Sequence, residues 1–61
     1  MKYIQLSEKR TSLPVHVRTD SVVVIRPDGT GSSVLVAIGY QMLEIVVEEN
    51  PTVIIHLLQN A

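Results

Sequence analysis

A chain of 61 residues with a formal net charge of −1 and no cysteine is one small domain, without disulfides and without thiolate metal sites. That charge lacks the basic footprint that binding a phosphate backbone requires, so nucleic acid is not an expected partner. Hydrophobic residues make up 46% of the chain and aromatic residues only 3%; the apolar runs are far shorter than the roughly 20 residues of a membrane helix, so no membrane partner is expected either.

The first predicted element is a short strand carrying Tyr3, Ile4 and Leu6. No apolar segment typical of a secretory leader follows Met1 and Lys2, so a cytoplasmic chain is expected. Ser7 to Ser12 is polar and reads as a turn. Pro14-Val15-His16-Val17-Arg18 alternates with period two, as a half-buried strand does. Thr19-Asp20 interrupts the pattern, and a β-branched run, Val22-Val23-Val24-Ile25, follows. Simple alternation puts Val22 and Val24 on one face and Val23 and Ile25 on the other, so this strand is expected to be covered on both sides.

Pro27 to Ser32 reads as a loop, with Asp28-Gly29 as its hairpin signal. The next strand runs from about Ser33 to Ile38, with Val34, Val36 and Ile38 on one face. Gly39-Tyr40 suits a two-residue turn with glycine first. Gln41 to Val47 returns as a strand, with Leu43, Ile45 and Val47 on one side. Asn50-Pro51 then opens a helix to about Gln59, because Asn is a favoured N-cap and Pro a favoured first residue. The alternative is a last strand through Val53-Ile54-Ile55.

The fold class predicted is α+β: four or five strands in a mainly antiparallel meander, with a barrel-like curl as one option, and one C-terminal helix. On that helix Val53, Leu57, Ile54 and Leu58 cover an arc of about 140°, and Ile55 extends it to about 200°, against the roughly 100° that docking on the chain's own sheet needs. A domain this small buries only about 60% of its unfolded surface and usually needs a staple. With disulfides excluded, and with His16 and His56 far apart and without ligand spacing, the expected staple is a second copy of the chain. Val23, Ile25, Ile54, Ile55 and Leu58 are the expected interface of that homo-oligomer.

Taken in order, Ile4-Gln5-Leu6, Val15 to Ile25, Ser33-Val34 to Gly39, and Val47-Glu48-Glu49-Asn50-Pro51 with its aliphatic tail resemble the FlbD-type family. These are small flagellar-operon proteins with relatives elsewhere in bacteria and phages. The resemblance implies the same order of strands and terminal helix and no enzymatic role. Arg18 stands where that family usually has Asn, and Asn50 where it usually has Ser.

Chemistry is sparse. Ser32, Ser33, His16, His56 and Asp20 have no spacing that assembles a nucleophile, a base and an orienting group, so no catalytic residues, cofactor or metal are expected. Glu48 and Glu49 read as solvated acids at the positive end of the helix. The glycines of Asp28 to Ser33 allow a backbone nest for an anion, yet no Gly-Lys-Ser ending or following helix makes it a P-loop. The leading expectation is a non-catalytic adaptor that works through protein–protein contacts. The other is an oligomer that sequesters an anionic metabolite or signalling nucleotide between subunits, using Arg18, Arg26, Thr30, Ser32, Ser33 and Tyr40. Arginine's planar fork suits carboxylate and phosphate.

Overall fold

The computed structural model describes residues 2–61. Its strands are β1 (Tyr3–Ser7), β2 (Pro14–Arg18), β3 (Val22–Asp28), β4 (Gly31–Ile38) and β5 (Gln41–Val47), followed by helix α1 (Pro51–Gln59). All strand pairs are antiparallel, and the class is α+β. The strands do not form one meander. They form a two-stranded sheet, β1-β2, and a three-stranded sheet, β3-β4-β5, which do not close into a barrel. The break falls at Thr19–Ser21, a single 3-10 turn. There the Thr19 amide donates to the Lys2 carbonyl at 3.0 Å and Arg18 pairs with Asp20 at 3.1 Å.

Both hairpins of the larger sheet use two-residue turns. Gly29 and Gly39 hold the first position with φ of 60° and 59°, a conformation that glycine adopts without cost. The first turn is therefore Gly29-Thr30, shorter than the sequence suggests, and Asp28 already pairs with Gly31. Gly31 has a different reason to be glycine. A Cβ there would stand 2.1 Å from the Val47 carbonyl oxygen, which is backbone and cannot swing away.

That crossing is one part of a corner where the two sheets meet. Glu8 bridges Val47, the Lys9 amide donates to the Val46 carbonyl at 3.0 Å, and the Glu48 amide donates to the Ser7 carbonyl at 2.9 Å. Both carboxylate oxygens of Glu49 accept from the Ser7 amide at 3.0 Å. The Ser32 hydroxyl donates to the Glu49 carbonyl at 2.7 Å. Glu49 is thus a structural tie and not merely a solvated acid.

The core is Ile4, Leu6, Val17, Val34, Val36, Val47 and Ile54. Helix α1 starts as its sequence predicts, with Asn50 Oδ1 accepting from the Val53 amide at 2.9 Å and Pro51 in the first turn. It lies against β1 and β3. Ile54 is buried, with Leu57, Leu58 and Ala61 half-buried against the core. Val53 and Ile55, on either flank of that face, stay exposed.

Strand β3 departs from simple alternation. A bulge between Val22 and Val24 sets Val22 opposite Val36 and Ile25 opposite Val34, both inner-face residues. Val22 and Ile25 therefore share the inner face, Val24 faces outward beside Leu35, and Val23 is 54% exposed. Within the single chain Val22, Val24 and Ile25 are half-buried and Val23 is exposed, because one extra residue shifts the side-chain parity.

The Gly31 contact yields a direct test. Gly31→Ala must push β4 away from Val47, and a loss of about 1–3 kcal/mol is expected, as for overpacking elsewhere. Urea unfolding followed by circular dichroism reads it; a midpoint equal to the parent's would show that the corner is looser than the 2.1 Å approach implies.

Candidate functional site

The inner face of the β4–β5 hairpin passes from covered to open along its length. On β4, Val34 is fully buried, Val36 nearly so, and Ile38 is 57% exposed. On β5, Val47 is fully buried, Ile45 half-buried, and Leu43 is 49% exposed. Near the corner the β1-β2 hairpin and the helix cover the sheet. Toward the Gly39-Tyr40 turn the sheet outruns that cover.

A groove of about 360 Å³ lies at this open end. Val36, Ile38, Leu43 and Ile45 form its sheet wall, facing Val15 and Val17 of β2. Tyr3, His16, Arg18 and Ser21 add its polar groups. Among the described residues Arg18 is the only lysine or arginine in the lining, and it is already paired with Asp20. The stretch from Ser32 to Leu43, which supplies the hairpin, contains no charged residue.

The residues expected to hold an anion are not brought together. Arg26 lies opposite Ser33 on β3, and Thr30 sits in the first turn, both exposed. Tyr40 is in the second turn, with nothing covering it. Eight residues of β4 separate the two turns, a span of roughly 25 Å at strand rise. Arg18 lies at the groove, with Ile38 and not with Thr30. Ser32 is buried, with its hydroxyl on the Glu49 carbonyl, and Ser33 donates to a Glu44 carboxylate oxygen at 2.5 Å. These hydroxyls hold the sheet and helix start together.

The expected oligomer residues also divide. Ile54 is core, and Ile25 and Leu58 pack half-buried against their own core. Val23 and Ile55 are exposed. Residues that the sequence pattern passes over, Ile38, Leu43 and Ile45, line the groove. For Ile38 and Leu43 the signal was the unbroken absence of charge from Ser32 to Leu43.

Among the described residues no cluster of histidine and acidic side chains suits a metal ion, and no helix is long and apolar enough to cross a membrane. His56 lies within hydrogen-bonding distance of Asn60, 3.3 Å, at the end of the helix. Comparison with family models, with curated proteins and with solved structures gives no match.

These placements separate structural from surface roles. Ser32→Ala leaves the Glu49 carbonyl without its partner and should cost roughly 1–3 kcal/mol. Arg26→Ala and Tyr40→Ala should each stay within about 0.5 kcal/mol of the parent. Thermal unfolding of dilute protein ranks the three; a large loss at Tyr40 in the single chain would contradict its exposed placement.

Proposed function

We propose that this chain is a non-catalytic binding protein that acts as a homo-oligomer through protein–protein contacts. The observation that carries the reading is the open apolar end of the sheet, where Ile38 and Leu43 continue the rows of Val34, Val36 and Val47 but lie uncovered. Residues that belong to a core by position are left at the surface. Protein surfaces tolerate single apolar residues, whereas a contiguous patch marks a contact. The accessible surface points the same way: 4299 Å² for 6.8 kDa, against about 3,950 Å² for an average monomer of that mass. The excess is modest, and it fits a chain with one side left open. The likeness to the FlbD-type family, through Ile4-Gln5-Leu6 and the Val47 to Pro51 segment, belongs to this proposal and brings a role without chemistry.

A second reading has one observation in its favour. The groove's 360 Å³ falls within the roughly 300–1,000 Å³ usual for small-ligand sites. An oligomer that sequesters a small molecule would use it, with Arg18 at the lining as the group for an anion.

Native mass spectrometry of gently purified protein tests both. The binding-protein reading expects an oligomer without added mass. A stoichiometric extra mass would instead support sequestration, and that ligand at a hundredfold excess over its Kd would raise stability by about 2.7 kcal/mol. A monomer at every concentration would sink the oligomeric reading.

A further inference from the structure

Main-chain bonds at the corner fix which backbone groups of β5 point away from β4. The Val46 carbonyl accepts from the Lys9 amide, and the Glu48 amide, just beyond the strand, donates to the Ser7 carbonyl. These two residues therefore turn their backbone groups outward. The pattern of a strand repeats every second residue, so Met42 and Glu44 present their amides and carbonyls on the same side. Strand β5 is the last of its sheet, and among the described residues nothing pairs with those groups. Residues 41–44 are all exposed.

We infer that this free edge of β5 pairs with the same edge of a second copy, antiparallel about a twofold axis at Leu43. The inference rests on the homo-oligomeric reading above and names its surface.

The first support is a contrast between edges. Strand β3 has its bulge, Pro27 and the charged Arg26 and Asp28, while β2 has five residues and begins at Pro14. Such features suppress the addition of another strand. From Gln41 to Ile45 there is no proline, lysine or arginine, and the register against β4 runs without a shift. The one charge of this stretch, Glu44, accepts from the Ser33 hydroxyl of its own sheet. An edge without guards is a template for a strand.

The second support is register, which says which strand fits. The free stretch is bounded at both ends. Lys9 already holds the Val46 carbonyl, and the Gly39-Tyr40 turn ends the strand at the other side. Reversed about Leu43, the stretch 41–45 maps onto itself. Met42 then exchanges both main-chain bonds with Glu44 of the partner copy, and Glu44 does the same with Met42, so every outward group is satisfied. Leu43 stands opposite its own copy at the closer spacing of a pair without hydrogen bonds, about 4.5 Å between Cα atoms. Cross-strand pairs of this kind stabilise a sheet, and Leu43 is 49% exposed in the single chain. Neighbouring registers fail. Centring on Glu44 sets two carboxylates face to face, which is destabilising, and calls on Val46, already taken. Centring on Met42 calls on Tyr40, a turn residue.

A strand that fits its own reverse selects a second copy over an unrelated extended segment. The contact is isologous, so it closes. Once two β5 edges are joined, the edges left free are the guarded ones, and growth into a filament stops.

Sedimentation velocity across a concentration series, on the full chain and on Met42→Pro and Ile55→Glu, tests the inference. A dimer is expected for the parent and for Ile55→Glu. Proline at position 42 removes an amide proton that the single chain does not use and that the dimer needs. Self-association at least roughly thirtyfold weaker is expected, with circular dichroism like the parent's. The chain has no cysteine of its own, so Leu43→Cys and Gln41→Cys read the register under mild oxidation. Leu43→Cys should link to its own copy, because opposed Cα atoms about 4.5 Å apart suit a disulfide. Gln41→Cys should stay unlinked, since its two copies stand roughly 13 Å apart along the strands. Should Met42→Pro lose its fold, the cysteine variants decide. A dimer kept by a folded Met42→Pro, or linked through Gln41→Cys and not Leu43→Cys, would overturn this edge and leave the oligomeric reading standing. A parent that is monomeric at every concentration would overturn both.

Discussion

The tie between Glu49 and the end of the first strand holds the two halves of the molecule in register. A two-stranded hairpin has little stability in water on its own. Here β1-β2 meets the larger sheet through one bridge, Glu8 with Val47, and a few main-chain bonds around it. Glu49 adds a charge-assisted bond from the Ser7 amide, a stronger kind than a neutral pair. Its carbonyl also takes the buried Ser32 hydroxyl, which fixes the chain as it leaves β5. Asn50 follows at once and caps the helix. One short segment therefore sets the sheet-to-sheet angle and the point where α1 begins. Gly31 permits it, by letting the Val47 carbonyl come closer than any side chain would allow.

Lengths then decide what stays uncovered. The nine-residue helix is roughly 13 Å long. The eight-residue strand β4 spans roughly 25 Å. A helix anchored at the corner and lying against β1 and β3 cannot also reach the Gly39-Tyr40 end. Nor does the β1-β2 hairpin, with its two five-residue strands, fill the gap, since the groove lies between it and the sheet. Burial falls off from Val34 to Ile38 and from Val47 to Leu43 as a result of this mismatch.

Much of the architecture was legible in local pattern, because each element is set by neighbours in sequence. Strand β2 and the Asn50-Pro51 helix start follow from alternation and capping, and Gly39-Tyr40 follows from turn chemistry. What was not legible depends on residues far apart. The bulge at Val22/Val24 inverts the facing of a run whose four β-branched residues look equivalent in sequence. Ser32 reads as a loop residue until Glu49 is placed beside it. Gly31 reads as one of three loop glycines, and only the Val47 carbonyl distinguishes it. Within one chain the candidate anion residues lie apart for the same reason. Proximity in sequence, across Arg26 to Ser33, placed residues around a tight turn, while Arg18 and Tyr40 belong to the other end of the sheet.

The polar and apolar parts of the molecule differ in how well they are completed. Among the described residues no buried side-chain nitrogen or oxygen lacks a hydrogen-bond partner. The hydroxyls and carboxylate of the corner are satisfied within the chain, and Arg18 has its own counter-ion. Ligand sites for charged molecules keep polar groups waiting, because those groups gain most when the ligand arrives. Here the incomplete part is apolar, a row of core positions without a cover. Small domains of this size are marginal alone, and any partner that binds only the folded chain stabilises it by mass action. The uncovered hairpin end, a weakness in the isolated domain, is where such a partner adds most.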